Sequence, residues 1–156
     1  MKTIQGCLIK YAIAGKFDVI IHGCNCFNTM GGGIAYNIKN TFPMAYTQDC
    51  KTIKGDKNKL GSYTFCKYKI NNKELFIVNG YTQYKYWGDE SNVDYDAVRS
   101  LFHKIRSDFA DKKIGFPMIG AGLAGGDWKI IKKIIEEELE DMDYTLVEYN
   151  QQPLLC

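Results

Sequence analysis

The chain has 156 residues, 46% of them hydrophobic, with 20 basic and 18 acidic side chains and a formal net charge of +2. That length and apolar content suit one domain with a full core, and the absence of a long single-sign block argues against an electrostatic nucleic-acid arm. With no stretch long enough for a membrane span or a secretory h-region, we expect a cytoplasmic monomer without stable nucleic-acid binding or membrane contact.

The cysteines stand at 7, 24, 26, 50, 66 and 156. A domain of this size without a secretion signal is expected to keep them reduced. Cys24 and Cys26 form a C-x-C pair, but no second pair stands at zinc-like spacing and the histidines are only His22 and His103. No metal and no cofactor are expected.

In chain order, Ile4, Leu8 and Ile9 suggest a first strand over 3–9, followed by a turn near 14–16. Residues 18–22 (Asp-Val-Ile-Ile-His) read as a short buried strand, and a polar turn then carries Asn25 and Asn28 to Gly31, Gly32 and Gly33. Ile34, Ile38 and Phe42 recur at helical steps, so a helix is predicted over 32–41, ending before Pro43. A second short helix follows to Cys50, and 51–59, with four lysines, reads as a solvated surface loop outside any site. Residues 62–70 and 74–79 around Asn71-Asn72 predict a β-hairpin.

The next segment, 80–92, is an aromatic, polar loop at the end of a strand, suited either to a ligand wall or to a packed surface. A helix beginning at Val93 or Asp94 presents Val98, Leu101, Phe102, Ile105 and Phe109 on one stripe, with His103 off it and solvated. A buried strand over 113–119 leads straight into Gly120-Ala121-Gly122-Leu123-Ala124-Gly125-Gly126. Asp127 is a good N-cap for a helix with Trp128, Ile131, Ile134 or Ile135, Leu139 and Met142 inward. A last strand is predicted over 144–149 and a frayed tail over 151–156, which leaves 1–150 as one domain. The alternation of strands and helices, with one hairpin inserted, gives an α/β class with a mixed sheet and helices on both faces.

Two glycine runs, each between a strand and a helix, make paired anion cradles. Glycine lets the backbone approach a ligand, and the first-turn N–H groups of the following helix point at it. Two such loops suit a diphosphate better than a single phosphate.

These motifs in this order resemble the macro domain family, which binds ADP-ribose. The resemblance rests on Asp18-Val-Ile-Ile-His-Gly-Cys-Asn25, Gly31-Gly-Gly-Ile-Ala35 and Ile119-Gly-Ala-Gly-Leu123, and runs from about Thr3 to Asn150. It implies a three-layer α/β/α fold around a mixed sheet of about six strands. The His-x-Cys-Asn-Cys form and Asp127-Trp128 look most like the branch that processes ADP-ribose-1″-phosphate, whose phosphatases occur in fungi and bacteriophages, so a phage or bacterial origin, acting in host cytoplasm if phage-encoded, is expected. By this resemblance Asn25 bonds the distal ribose, the backbone of Gly31, Gly32, Gly33 and Ile34 lines that ribose and its phosphate, and Gly120, Ala121, Gly122, Leu123 and Ala124 hold the diphosphate. Cys7 and Leu8 are expected at the adenine end, where many members have an aspartate after the glycine and this chain has Cys7, a poor acceptor. Trp128 either flanks the distal ribose or plugs the core.

The activity so implied is removal of the 1″-phosphate. The other readings are a hydrolase that releases ADP-ribose from modified macromolecules and a non-catalytic reader. The hydrolase branch that works through a lysine and an aspartate has its aspartate where Ala124 stands here. No Cys-x5-Arg sequence supports a cysteinyl-phosphate route. The expected catalytic set is His22, as acid or base or else a satisfied strand-end histidine, Asn25, and Asp94, as water activator or else helix cap.

Overall fold

The computed structural model describes residues 1–149, so the predicted tail at 151–156 lies outside the described residues. The elements are β1 (Lys2–Gln5), α1 (Leu8–Ile13), β2 (Val19–Cys24), α2 (Gly33–Thr41), α3 (Pro43–Cys50), a 3₁₀ turn at Lys57–Lys59, β3 (Tyr63–Ile70), β4 (Lys73–Tyr81), α4 (Tyr95–Asp108), β5 (Ile114–Phe116), α5 (Trp128–Glu138) and β6 (Tyr144–Glu148). The six strands form one sheet in the order β1-β6-β5-β2-β4-β3. Every neighbouring pair is parallel except β3 with β4, which is antiparallel.

β2 sits at the centre because it can bury both of its faces. Val19, Ile20 and Ile21 are fully buried, and an unbroken apolar run is what a strand covered on both sides requires. Val19 and Ile21 join Val98, Leu101, Ile131 and Ile135 under α4 and α5, while Ile20 joins Leu8, Ile38 and Ala45 under α1, α2 and α3. These are the three expected layers. The two long helices start where their caps dictate: Asp94 accepts the Ala97 N–H at 2.9 Å and Asp127 the Lys129 N–H at 2.9 Å. The hairpin closes through Asn71 and Asn72, both at positive φ (51° and 63°), the conformation that a two-residue primed turn demands.

Three expectations need correction. Leu8 and Ile9 do not extend the first strand. Gly6, at φ 140°, ends it with a hydrogen bond to Glu148 O at 3.0 Å, and Leu8, Ile9 and Ala12 then share the buried face of α1. The expectation of reduced thiols holds for Cys24, Cys26, Cys50 and Cys66 but not for Cys7, a half-exposed residue at the start of α1, which is disulfide-bonded. The lysine-rich loop is only partly solvated. Lys59 is 7% exposed, and its Nζ donates to Asn28 Oδ1 at 2.8 Å and Thr52 Oγ1 at 2.9 Å while lying 5.3 Å from the Tyr81 ring centroid.

Lys59 belongs to a buried polar layer on the α3 face of the sheet. His22 Nε2 is 2.7 Å from Asn79 Oδ1, and Asn79 Nδ2 donates to Ala45 O at 2.9 Å and to Thr64 Oγ1 at 3.0 Å. Tyr81 Oη donates to Asp49 Oδ1 at 2.7 Å. Burial pushes the His22 imidazole down to about 4, although its bond to Asn79 works the other way, so the ring is neutral at physiological pH. Burial holds the Asp49 carboxyl above the usual range against the Tyr81 bond and the nearby Lys59 charge.

Two outcomes follow. Between pH 6.5 and about 4 the unfolded chain protonates His22 and the folded chain does not, so stability rises with pH across that window and is lost as pH falls through it. At about 1.4 kcal/mol per pH unit this comes to about 3 kcal/mol. Asp49 acts in the opposite direction, so the effect is read as a difference: urea denaturation from pH 4 to 7 should show a weaker rise with pH in His22→Gln than in the wild type, and equal slopes would show that His22 is not the buried neutral group. Lys59→Met leaves Asn28 and Thr52 without their charged donor and should cost about 2 kcal/mol, whereas Lys54→Met on the exposed part of the loop should stay within about 0.5 kcal/mol. Similar losses for the two lysines in the same denaturation series would return Lys59 to the solvated surface.

Candidate functional site

The order of the sheet places a crevice. The chain leaves β2 into α2 on one face and leaves β5 into α5 on the other, and the two strands are parallel neighbours, with Val19 opposite Ile114 and Ile20 opposite Gly115. Strand order reverses here, and the carboxyl ends of such strands are where open α/β sheets leave room for a ligand. Both glycine loops open onto this point, residues 25–32 from β2 and residues 117–127 from β5.

The loops meet. A Cβ built on Gly32 would lie 3.0 Å from Leu123 Cδ1, and Leu123 is 83% exposed, stretched across the opening. The second loop is closed at its base by the Gly126 N–H bonded to Gly120 O at 2.7 Å, an approach so tight that a Cβ on Gly126 would stand 2.5 Å from that oxygen. Within it, the N–H groups of Ala121 and Gly125 bond to Met118 O and Gly122 O, which leaves the N–H groups of 122–124 as the donors not tied inside the loop. Val93 braces the loop from the side, since its methyls would meet a Cβ on Gly120 or Gly126 at 2.7 and 2.5 Å. The Asn92 N–H adds a hydrogen bond to Ala124 O at 2.8 Å.

The two helix starts differ in what they offer an anion. Asp127 already places a carboxylate at the start of α5. Gly32 at the start of α2 provides no side-chain cap, so the first-turn N–H groups of α2 remain for a ligand. Cys24 and Cys26 supply no nucleophile here, because burial pushes the Cys24 thiol far above its usual range and the Cys26 thiol up to about 11. Among the described residues, no group of three or more His, Cys, Asp or Glu is placed to hold a metal.

The expected site residues divide into three sets. Gly31, Gly32, Gly33, Ile34 and the stretch Gly120 to Ala124 come together at the crevice, with Ala124 buried and its carbonyl turned to Asn92. Asn25 stands at the root of the first loop. Its Oδ1 accepts the Phe27 N–H at 2.8 Å and its Nδ2 donates to Thr29 Oγ1 at 2.8 Å, so it shapes the turn it belongs to. Cys7 lies at the same carboxyl edge but three strands away from β2, about 14 Å at ordinary strand spacing, and its Sγ accepts the Lys10 N–H at 3.3 Å.

Two expectations change, for Leu8 and His22, while Asp94 meets its cap reading. Leu8 is 2% exposed and is packed in the core, not on the cleft. His22 has no exposed surface and faces α3 through Asn79, so in this conformation it touches no ligand and acts only on the strand end that bears Asn25. Asp94 caps α4, with one oxygen committed to the Ala97 N–H. Trp128 is packed against the core, as its plugging role requires.

Asn79, Lys59, Asp49 and Thr82 escaped the sequence reading. Thr82 follows β4 next to Gly23, is wholly buried, and its Oγ1 has no hydrogen-bond partner among the described residues. The single available signal was polarity inside an apolar strand, Asn79 after Ile77 and Val78.

Comparison with known proteins agrees with this architecture. The chain is 32% identical over 161 residues to an uncharacterized 17.5 kDa protein of Enterobacteria phage T4, with 99% of each chain covered. It is 24% identical over 160 residues to an ADP-ribose 1″-phosphate phosphatase of Saccharomyces cerevisiae, covering 83% of this chain and 89% of the yeast protein. The macrodomain of Mycobacterium tuberculosis DarG superposes with a TM-score of 0.73 at 17% identity over 94% of this chain and 95% of that one. The family model described as Macro domain matches residues 21–135, well over half of the length, and the chain belongs to the macro domain family.

Proposed function

We propose that this macro domain binds ADP-ribose in the crevice between β2 and β5 and hydrolyses the phosphate of ADP-ribose 1″-phosphate. The observation that carries the reading is the meeting of two glycine loops, at Gly32 and Leu123, over the point where strand order reverses. A diphosphate bridges such a pair: one phosphate takes the uncapped start of α2 and the other takes the backbone of 122–124. The naming of the yeast relative supports the choice of substrate.

In this reading the 1″-phosphate lies near Asn25, where the distal ribose is held. Water attacks phosphorus in line, the bond from phosphorus to the 1″ oxygen breaks, and inorganic phosphate and ADP-ribose leave. The backbone donors of the loops offset the charge spread over the phosphoryl oxygens. Asp94 has a second carboxylate oxygen to orient or deprotonate the water while the first stays on Ala97. His22 contributes as a positioning group, since its hydrogen bond to Asn79 ties the end of β2 to the adjacent strand β4.

Isothermal titration with ADP-ribose should give saturable binding, and ADP-ribose 1″-phosphate should release phosphate. Binding without release would move the protein to the conjugate hydrolases or readers, and no binding would defeat the reading. A Cβ on Gly122 meets nothing within 4 Å, so Gly122→Val should fold with unchanged thermal stability yet weaken ADP-ribose at least tenfold by filling the cradle. Retained affinity would move the ligand off this loop. Asp94→Asn preserves the helix cap but removes the base, so kcat should fall about 100-fold or more with KM and melting temperature nearly unchanged. An unaltered kcat would leave Asp94 as a cap alone.

A further inference from the structure

Beside the Asn25 end of the crevice, three segments distant in sequence converge. The Gly55 N–H bonds to Cys26 O at 2.7 Å, the Cys26 N–H to Tyr84 O at 2.8 Å, and Tyr84 Oη donates to Gly55 O at 2.9 Å. This junction carries aromatic rings outward. Phe27 meets Tyr84 and Trp87, each at a centroid distance of 4.9 Å, and Trp87 meets Tyr86 at 5.2 Å. The interplanar angles are 67°, 69° and 90°, so none of these rings lies flat on another. Tyr86 is 56% exposed and Trp87 48%, a large apolar surface to leave in water on a charged loop region.

The same junction gathers positive charge. Residues 51–59 contain four lysines and one acidic residue, Asp56, whose carboxylate is turned onto the Asn58 N–H. Lys59 is buried, but Lys51, Lys54 and Lys57 are exposed, and Lys57 Nζ lies 4.9 Å from the Tyr84 centroid. Asp89 and Glu90 are the acidic groups on the aromatic loop, beyond Gly88 and toward the Asn92 side that bonds the second glycine loop. Exposed aromatic side chains such as Tyr86 and Trp87 next to ammonium groups are what a single strand of nucleic acid uses, with bases stacked on the rings and phosphates on the lysines. An acidic peptide would need the lysines but not the rings.

We propose that the face formed by Phe27, Tyr86, Trp87, Lys54 and Lys57 binds a single strand of nucleic acid, next to the crevice and two residues from Asn25. Strand binding does not depend on the phosphatase reading. Fluorescein-labelled single-stranded oligonucleotides of about 12 nucleotides, titrated with the full chain at low salt, should give a saturable rise in anisotropy together with quenching of Trp87 fluorescence. Trp87→Ala should weaken binding about tenfold, with recovery in Trp87→Tyr. Lys54→Gln with Lys57→Gln should lower the slope of log K against log salt by about 1.4. ADP-ribose titrated into the lysine double variant should bind as in the wild type, so loss of the strand and loss of the cleft ligand are separable. No anisotropy change up to about 100 μM protein would overturn the proposal, as would binding indifferent to Trp87→Ala. Equal displacement of the strand from wild type and Trp87→Ala by polyglutamate would identify an acidic-peptide surface instead.

Discussion

Polar side chains at the end of β2 and along β4 enter a layer closed to water, and the shape of the cleft depends on how they are paired there. His22 on Asn79, Asn79 on Ala45 and Thr64, Tyr81 on Asp49 and Lys59 on Asn28 form that pairing. A buried donor or acceptor left alone costs about 1–3 kcal/mol. The layer therefore has few alternative arrangements. The loop that starts at Asn25 inherits its geometry from it, because Asn28, held at φ 57°, is bonded from below by Lys59 and Thr52. Glycines on their own would give a pliable loop. The ammonium group of Lys59 and the Asn25 bonds to Phe27 and Thr29 hold the loop in one shape before any ligand arrives, which reduces the ordering cost of binding.

Among the described residues, two buried side-chain atoms in this region have no hydrogen-bond partner, Asp49 Oδ2 and Thr82 Oγ1. For Asp49, burial raises the carboxyl pKa, and the Tyr81 hydroxyl and the nearby Lys59 ammonium oppose that shift. Thr82 differs in lying under Gly23, where any larger residue would collide with it at 2.7 Å. The hydroxyl thus occupies space that the neighbouring strand leaves open.

What was legible in the sequence is what depends on near neighbours. Asp94 and Asp127 as caps, the Asn71-Asn72 turn, the inward stripes of α4 and α5 and the two glycine loops all follow from residues within a turn or two of one another. The misreadings have one physical origin. Leu8 and Ile9 look like strand residues until Gly6 is paired with Glu148, and Lys59 looks solvated until Asn28 and Thr52 close over it. His22 could equally face the cleft or the core in a local reading, and its partner, Asn79, is 57 residues away. Of the crevice, the glycine loops that border it could therefore be read and the side chains that brace them could not.

The same distinction bears on charge. A net +2 with interspersed signs argues against an electrostatic arm, because an arm needs a contiguous block. A folded surface has no such requirement. Burial removes Lys59 from the surface of the 51–59 loop, the Asn58 N–H occupies Asp56, and the bonds among Gly55, Cys26 and Tyr84 accompany Lys57 lying against the Tyr84 ring. Local field at such a junction is set by exposed groups within about 8–10 Å, the screening length at physiological salt, and not by the total charge of the chain. A nearly neutral protein can in this way present a basic, aromatic face beside a cleft already suited to phosphate.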